Sequence, residues 1–153
     1  MKKIDDLTFY SMYSVLQSGM WLLNDLETYL RPLGMSQAKL SILLAITSSN
    51  EGVVSPNELA LITGKSRPGI TRTIESLAEK NMIRIDRDFK DGRRKKLYLT
   101  DEGKDLLERI IPEYNCQILA MSSGLSEGEK QQLINILRKI NFLDERKKIG
   151  GPI

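Results

Sequence analysis

The hydrophobic and polar positions of residues 66–80 follow a helical pattern with two distinct faces. Ile70, Ile74 and Leu77 recur at spacings of three and four and form one apolar stripe. The opposite face carries Pro68 and the charged side chains of Arg72, Glu75 and Glu79. Ser66 is a residue type that caps helix N-termini, and a proline is tolerated in the first turn, where N–H groups have no intrahelical partner. The pattern predicts a short amphipathic helix with a partly basic outer face.

Two runs of alternating apolar and polar residues follow this helix. Residues 83–85 and 96–99 alternate at the period of a β-strand, and a charged segment joins them. Asp91 and Gly92 lie near the middle of that segment, where a tight turn is expected. The pattern predicts a β-hairpin with an arginine-rich tip.

A second short helix is predicted just before residue 66. Ser55-Pro56-Asn57-Glu58 has the pattern of a capping box with proline at the first helical position. Thr63-Gly64 ends this helix, so two helices are separated by a short glycine-containing turn. This spacing is typical of a helix-turn-helix, whose second helix enters the major groove of DNA.

Residues 7–33 read as one long helix with more apolar surface than a small domain can bury. One seam alternates spacings of three and four: Phe9, Met12, Leu16, Gly19, Leu23, Leu26, Leu30 and Leu33. Further apolar side chains lie off this seam, and Pro32 and Gly34 end the helix. A helix with two apolar faces needs a covering partner, and a second subunit is the economical one.

The remaining segments also have helical patterns. Residues 36–48 are apolar nearly all round, which predicts a buried core helix, and Val53-Val54 is a candidate for one more short strand beside the hairpin. A helix should begin after Thr100 and run to about Ser122, with a bend at Pro112. The capping box Ser126-Glu127-Gly128-Glu129 predicts a last helix with Leu133, Ile136, Leu137, Ile140 and Leu143 on its apolar face.

Charge is concentrated on the predicted helix and hairpin. Residues 65–100 contain eleven Lys and Arg against five Asp and Glu, a net charge of +6, whereas the whole chain carries +3. A local excess of positive charge is expected where a protein meets phosphates. A solvated basic face without a partner is the alternative that charge alone leaves open.

The residue types present argue against an enzyme and against a cofactor. With no histidine, catalysis of the Ser-His-Asp and Cys-His kinds and His-ligated metal sites are excluded. Gly64-Lys65-Ser66 imitates the end of a phosphate-binding P-loop, but Leu59 occupies the position of the required glycine. The longest apolar run, 42–46, is too short to span a bilayer, and no signal-peptide segment is present, so we expect a cytoplasmic protein that does not bind membranes.

The hairpin carries a motif that goes beyond periodicity. The pattern D-x-R…L-x-L-T is matched by Asp91, Arg93, Leu97, Leu99 and Thr100. Residues 66–72 look like the start of a recognition helix. In these motifs, in length and in element order, the chain resembles the MarR family of bacterial transcription regulators over essentially its whole length.

The resemblance implies a mainly α fold with a small β-wing. A winged helix-turn-helix at 36–100 would bind DNA, residues 1–35 and 101–146 would form a helical dimerisation region, and 147–153 would be a frayed tail. It implies a homodimer that binds a pseudo-palindromic site on double-stranded DNA and regulates transcription. We expect a repressor rather than an activator. A winged-helix module that binds an acidic protein partner is the alternative.

The resemblance also implies which residues contact DNA. In the recognition helix they are Ser66, Arg67, Pro68, Gly69, Thr71, Arg72 and Ser76. In the wing they are Lys90, Asp91, Arg93, Arg94 and Lys95, with Arg93 entering the minor groove and Asp91 bracing the wing. Glu75 and Glu79 do not fit simply, because a carboxylate facing DNA is repelled by phosphate unless it accepts from cytosine or pairs with a lysine.

Two further features bear on regulation. The resemblance implies a small-molecule effector, and Tyr10, Tyr13, Met20 and Trp21 are candidates to line its pocket, although such a stripe on a dimerising helix is more often interface core. Cys116 is the one cysteine, in a helical stretch expected to be packed. We therefore expect a buried structural thiol there rather than a redox sensor.

Overall fold

The computed structural model describes residues 5–49, 56–87 and 95–140. Helices dominate these residues, and one two-stranded antiparallel sheet interrupts them, as the sequence predicts. The elements in chain order are α1 Asp6–Leu30, a 3-10 turn Arg31–Leu33, α2 Gln37–Ser48, α3 Pro56–Thr63, α4 Arg67–Glu79, β1 Ile83–Arg87, β2 Lys95–Leu99, α5 Asp101–Met121 and α6 Glu127–Lys139. Two compact units result, one up to Gln37 and one from Ala38 onward.

The first unit consists of α1 and the turn that follows it. Asp5 caps α1 by accepting hydrogen bonds from the N–H of Thr8 (2.8 Å) and from its hydroxyl (2.7 Å). These bonds favour the carboxylate and lower the pKa of Asp5, with the backbone N–H of Thr8 the larger cause. The α-helix ends at Leu30, and Gly34 adopts a left-handed conformation (φ 66°), so the predicted stop is confirmed.

Most of the apolar surface of α1 is exposed in the single chain. Leu26 and Leu30 are its buried residues, whereas Leu7 is 80% and Trp21 69% exposed. A Cβ added at Gly19 would meet no atom within 4 Å. The predicted excess of apolar surface on this helix is therefore present.

The second unit has the hydrophobic core of the winged helix. Six residues of α2 are buried, as expected for a core helix: Ala38, Leu40, Ile42, Leu43, Ala45 and Ile46. Leu59 of α3 and Leu97 of β2 are fully buried with them. Helix α4 packs on α3 and β1, and α5 contacts β2, so these three helices and the two strands pack together in this unit.

A close junction joins the end of α4 to the start of α5. Asn81 follows α4 with a left-handed backbone (φ 56°), and its carbonyl accepts a hydrogen bond from the Thr100 hydroxyl (2.5 Å). Thr100 also caps α5 by accepting from the N–H of Gly103 (3.1 Å). A Cβ added at Gly103 would overlap the carbonyl oxygen of Met82, so glycine is required by this close approach.

The strands pair in one antiparallel register, with Ile83 opposite Leu99 and Arg87 opposite Lys95. The tip of the hairpin, the candidate strand Val53-Val54 and the tail 147–153 lie outside the described residues.

Helices α5 and α6 begin as predicted. The capping box of α6 is formed, with the N–H of Ser126 donating to the Glu129 carboxylate (2.8 Å). Helix α5 continues through Pro112. Exposed apolar side chains lie on both helices: Ile118, Leu119, Leu133, Ile134 and Ile136. None of the helices in the described ranges is long and apolar enough to span a membrane.

The expectation of a buried thiol at Cys116 is wrong for the single chain. The side chain is exposed. The buried residues of α5 end at Ile110, and beyond Pro112 every residue of this helix is exposed or half-buried. Cys116 therefore lies where α5 extends past the core of its own unit.

Candidate nucleic-acid interface

Helix α4 has one buried and one exposed face. Ile70 and Leu77 are fully buried and Ile74 is 2% exposed, which confirms the predicted apolar stripe. The Ser66 hydroxyl accepts from the N–H of Gly69 (3.4 Å), so the predicted cap is also confirmed. Because the stripe anchors α4 to its unit, the opposite face is free to meet a partner.

The turn before α4 sets the angle between the two helices of the helix-turn-helix. Gly64 has a left-handed backbone (φ 67°), which an L side chain rarely adopts. The Thr63 hydroxyl donates to the carbonyl of Leu59 (2.7 Å) and accepts from the N–H of Lys65 (3.3 Å). These bonds hold the turn between the end of α3 and Ser66, the cap of α4.

The recognition-helix candidates divide into exposed and half-buried positions. Ser66, Arg67, Pro68, Thr71 and Arg72 are exposed, whereas Gly69 and Ser76 are half-buried. The exposed group lies in the first half of α4, the part of a recognition helix that contacts base edges.

The two arginines of this face are available for contacts outside the chain. Among the described residues, the ion pairs involve neither Arg67 nor Arg72. The Thr71 hydroxyl donates to the carbonyl of Arg67 (3.2 Å), so its proton is used within the helix while its methyl group and oxygen lone pairs remain. A guanidinium carries five donors in a planar fork, which suits guanine edges and phosphates.

A third arginine, at the base of the hairpin, is held within the sheet. Arg84 makes an ion pair with Asp86 (3.1 Å), and its guanidinium lies 5.1 Å from the centre of the Tyr98 ring on the neighbouring strand. Arg84 and Tyr98 are register partners, so the contact stiffens the base of the wing. The sequence does not distinguish Arg84 from Arg67 or Arg72, whereas the structure does.

The wing candidates fall largely outside the described residues. These are Lys90, Asp91, Arg93 and Arg94. Lys95 is the first residue of β2, and its backbone pairs with that of Arg87 on β1. The Lys95 side chain lies outside the described part. The roles assigned to these residues stay predictions.

Glu75 and Glu79, which the sequence analysis left unresolved, are both exposed on α4. Within the described ranges, no set of three or more His, Cys, Asp or Glu side chains is placed to hold a metal ion. Among the described residues, the candidate interface consists of the exposed face of α4 and the base of the hairpin.

Comparison with known proteins decides the family. The sequence model described as "MarR family" matches residues 33–94, which include the helix-turn-helix and β1. The transcriptional repressor MprA of Escherichia coli (strain K12) is 30% identical over 131 residues, which are 84% of this chain and 74% of MprA. The chain belongs to the MarR family.

Solved structures of other MarR-family regulators have the same fold. Sco3205 from Streptomyces coelicolor, crystallised in complex with DNA, aligns with a TM-score of 0.83 at 20% identity, covering 92% of this chain and 89% of that one. CouR from Rhodococcus jostii RHA1, crystallised with p-coumaroyl-CoA, aligns with a TM-score of 0.73 at 22% identity, covering 89% and 92%.

Membership confirms the resemblance that the wing motif indicated. The protein is a DNA-binding transcription regulator, and this function is favoured over a protein-interaction module. The exposed arginines of α4, which make no ion pair within the described ranges, are consistent with that function.

Proposed function

We propose that this MarR-family regulator binds a pseudo-palindromic operator as a homodimer and represses transcription from it, as a cytoplasmic protein without enzymatic activity. The observation that most strongly supports this proposal is the exposure of Arg67 and Arg72 on α4, which make no ion pair among the described residues. The name of its relative MprA, a transcriptional repressor, supports repression, and the crystal structure of Sco3205 with DNA supports DNA binding.

Homodimer formation accounts for the apolar surface left exposed at both ends of the chain. On α1 the exposed side chains include Leu16 (64%) and Trp21 (69%), and on the later helices Leu119 (65%) and Ile136 (53%). Large exposed apolar surfaces mark protein interaction sites. A two-fold dimer buries the same surface on both copies and presents two recognition helices to two half-sites about one helical turn apart.

The contacts with DNA divide between affinity and sequence reading. Arg67 and Arg72 are placed to reach base edges or phosphates in the major groove. Arg93 is proposed for the minor groove, and Lys90, Arg94 and Lys95 for phosphates, where they add affinity without sequence information.

An effector is proposed to release the DNA. CouR was crystallised with p-coumaroyl-CoA, an aromatic ligand. The candidate effector residues Tyr10, Tyr13, Met20 and Trp21 are all exposed on α1, and the Tyr13 ring stacks on that of Phe9 with centroids 5.6 Å apart. A ligand that binds these rings in one dimer geometry better than in the other would shift the dimer toward it.

Binding of the purified protein to its own upstream DNA and to random DNA, measured over a salt series, tests the function. We expect a steep salt dependence and at least ~10³-fold preference for the upstream fragment over random DNA. Arg72→Ala should weaken specific binding by about 1–3 kcal/mol. The matched control is Arg109→Ala, which removes an exposed arginine of α5 without an ion pair among the described residues and should leave binding unchanged.

Absence of DNA binding at low salt would overturn the proposal. Equal losses for Arg72→Ala and Arg109→Ala would show that α4 has no special place in DNA binding.

A further inference from the structure

Glu75 occupies the outer face of α4 beside the arginine proposed to read bases. At 100° per residue, it lies about 140° round the helix from the buried Ile70. It is about 60° round from Arg72 and about 4.5 Å further along the axis. Its side chain is exposed. In the groove-facing orientation proposed for α4, the Glu75 carboxylate therefore points to the bases next to those that Arg72 reaches.

The carboxylate of Glu75 has no partner among the described residues. The ion pairs there are those of Arg84, Lys104 and Lys130, so Glu75 does not neutralise Arg72, although i and i+3 side chains can meet on a helix. A free carboxylate on a DNA-binding face is repelled by the phosphates. It is compatible with binding only where a DNA group donates a hydrogen bond to it.

The major groove presents few such donors. Guanine shows the acceptors O6 and N7 there and thymine the acceptor O4, all of which repel a carboxylate. Cytosine shows the N4 amino group, a donor with no acceptor on the same base edge, whereas adenine sets the acceptor N7 beside its N6 donor. A carboxylate, which only accepts, therefore fits cytosine best.

We propose that Glu75 is a specificity residue, which accepts a hydrogen bond from the N4 amino group of a cytosine in the major groove. The inference rests on the proposed function, since it requires α4 to lie in the groove. Glu75 and Arg72 together add no net charge, so the pair reads sequence while adding little phosphate affinity.

Glu79 provides the matched control on the same helix. It is exposed, makes no ion pair among the described residues, and lies about 6 Å further toward the C-terminus of α4. The base-reading part of a recognition helix is its N-terminal part, so Glu79 lies on the side where the helix leaves the bases.

The experiment selects binding sites from randomised double-stranded DNA with the full-length wild type, Glu75→Gln and Glu79→Gln. The wild type should select a motif with a required cytosine in each half-site, and changing one such cytosine to thymine should weaken binding by about 5- to 150-fold. Glu75→Gln should lose this requirement or change it to adenine, because a glutamine amide pairs with adenine N6 and N7. Glu79→Gln should keep the cytosine.

The outcomes separate the inference from the function on which it rests. Glu75→Ala has no acceptor for cytosine N4. If Glu75→Ala still required the cytosine, and Glu75→Gln bound all sites more tightly by the same factor as Glu79→Gln, Glu75 would only repel phosphate. A wild type that selects no motif would overturn the proposed function itself. Thermal unfolding of the variants checks that the exposed substitutions leave the fold intact.

Discussion

The winged helix and the long first helix use similar apolar side chains with opposite results. In α4, Ile70, Ile74 and Leu77 are at most 2% exposed. In α1, Leu16 is 64% and Trp21 69% exposed, although the seam on this helix is just as regular. The winged helix completes its core within one chain, whereas α1 does not.

The difference shows what each region is built to meet. Burial of the α4 stripe orients the polar face toward solvent, where arginines without ion pairs among the described residues can meet DNA. Exposed apolar side chains on α1 raise the free energy of the chain in water by about 25 cal/mol for each Å² left uncovered. A second copy of the chain is proposed to cover this surface. Burial of apolar side chains would then stabilise the winged helix within one chain and α1 in the homodimer.

The largest expected effect comes from placing a charge on the exposed seam of α1. Leu16→Glu should dissociate the proposed homodimer, because a carboxylate without a partner in an apolar interface costs about 3–5 kcal/mol and occurs twice in a two-fold dimer. Sedimentation velocity at micromolar concentration should show monomers.

The control for this change is Ser18→Glu, which places the same charge on the polar side of α1, about 200° round the helix from Leu16. It should leave the dimer intact. If both variants had the same mass as the wild type, the seam would not be the dimer interface.

An intermediate effect is expected when leucine is shortened to alanine in the core and on the exposed apolar surface. Leu77→Ala removes a fully buried side chain of α4 and should lower the free energy of unfolding by about 2–5 kcal/mol at any protein concentration. Leu119→Ala removes a 65% exposed side chain of α5, and its cost should appear only where the dimer is populated.

Denaturant unfolding at two protein concentrations measures both variants. If Leu119→Ala lowered the free energy of unfolding as much as Leu77→Ala does, at every protein concentration, the result would contradict the assignment of Leu77 to the core of one chain and of Leu119 to the dimer interface.

The smallest expected effect is confined to the start of α6. Hydrogen bonds from the hydroxyl and the backbone N–H of Ser126 lower the pKa of Glu129 from its ordinary value of 4.5. Because the pKa is lower in the folded state, the stabilisation is present above pH 4.5 and is lost as the pH falls through the folded pKa.

An NMR titration of the Glu129 carboxyl should therefore have its midpoint below 4.5, and the amide signal of Ser126 should follow it. Glu129→Gln should abolish the acid-dependent change at Ser126. Glu127→Gln, which removes the partner of Lys130 in the same turn (2.6 Å) but keeps the capping box, should retain it. A midpoint at or above 4.5 would contradict the capping bond.

Local patterns predicted much of the fold because they act within a few residues. The cap by Ser66, the stripe of α4 and the capping box at Ser126 involve spacings of three and four, which helix geometry dictates. The hairpin strands follow from alternation, and the resemblance that the wing motif indicated agrees with the family to which the chain belongs.

The candidate site was predicted less completely than the fold. The sequence pattern placed Arg72 on the outer face of α4, and the family resemblance named Arg67 as a DNA contact; both side chains are exposed. It did not show that Arg84 is held by Asp86 and Tyr98, because that contact needs the register of two strands. The burial expected for Cys116 failed for a related reason, since periodicity locates a helical face but not the point where the core ends.

The sequence by itself determined the element types, the helix caps and the face of α4 that turns outward, because these depend on side chains a few residues apart. Only the tertiary structure decided how the end of α4 meets α5. The Thr100 hydroxyl reaches the carbonyl of Asn81, 19 positions earlier, and Gly103 fits because no Cβ can stand beside the carbonyl of Met82. Such contacts join residues that are distant along the chain, and they exist only once the strands between them have paired and the core has closed.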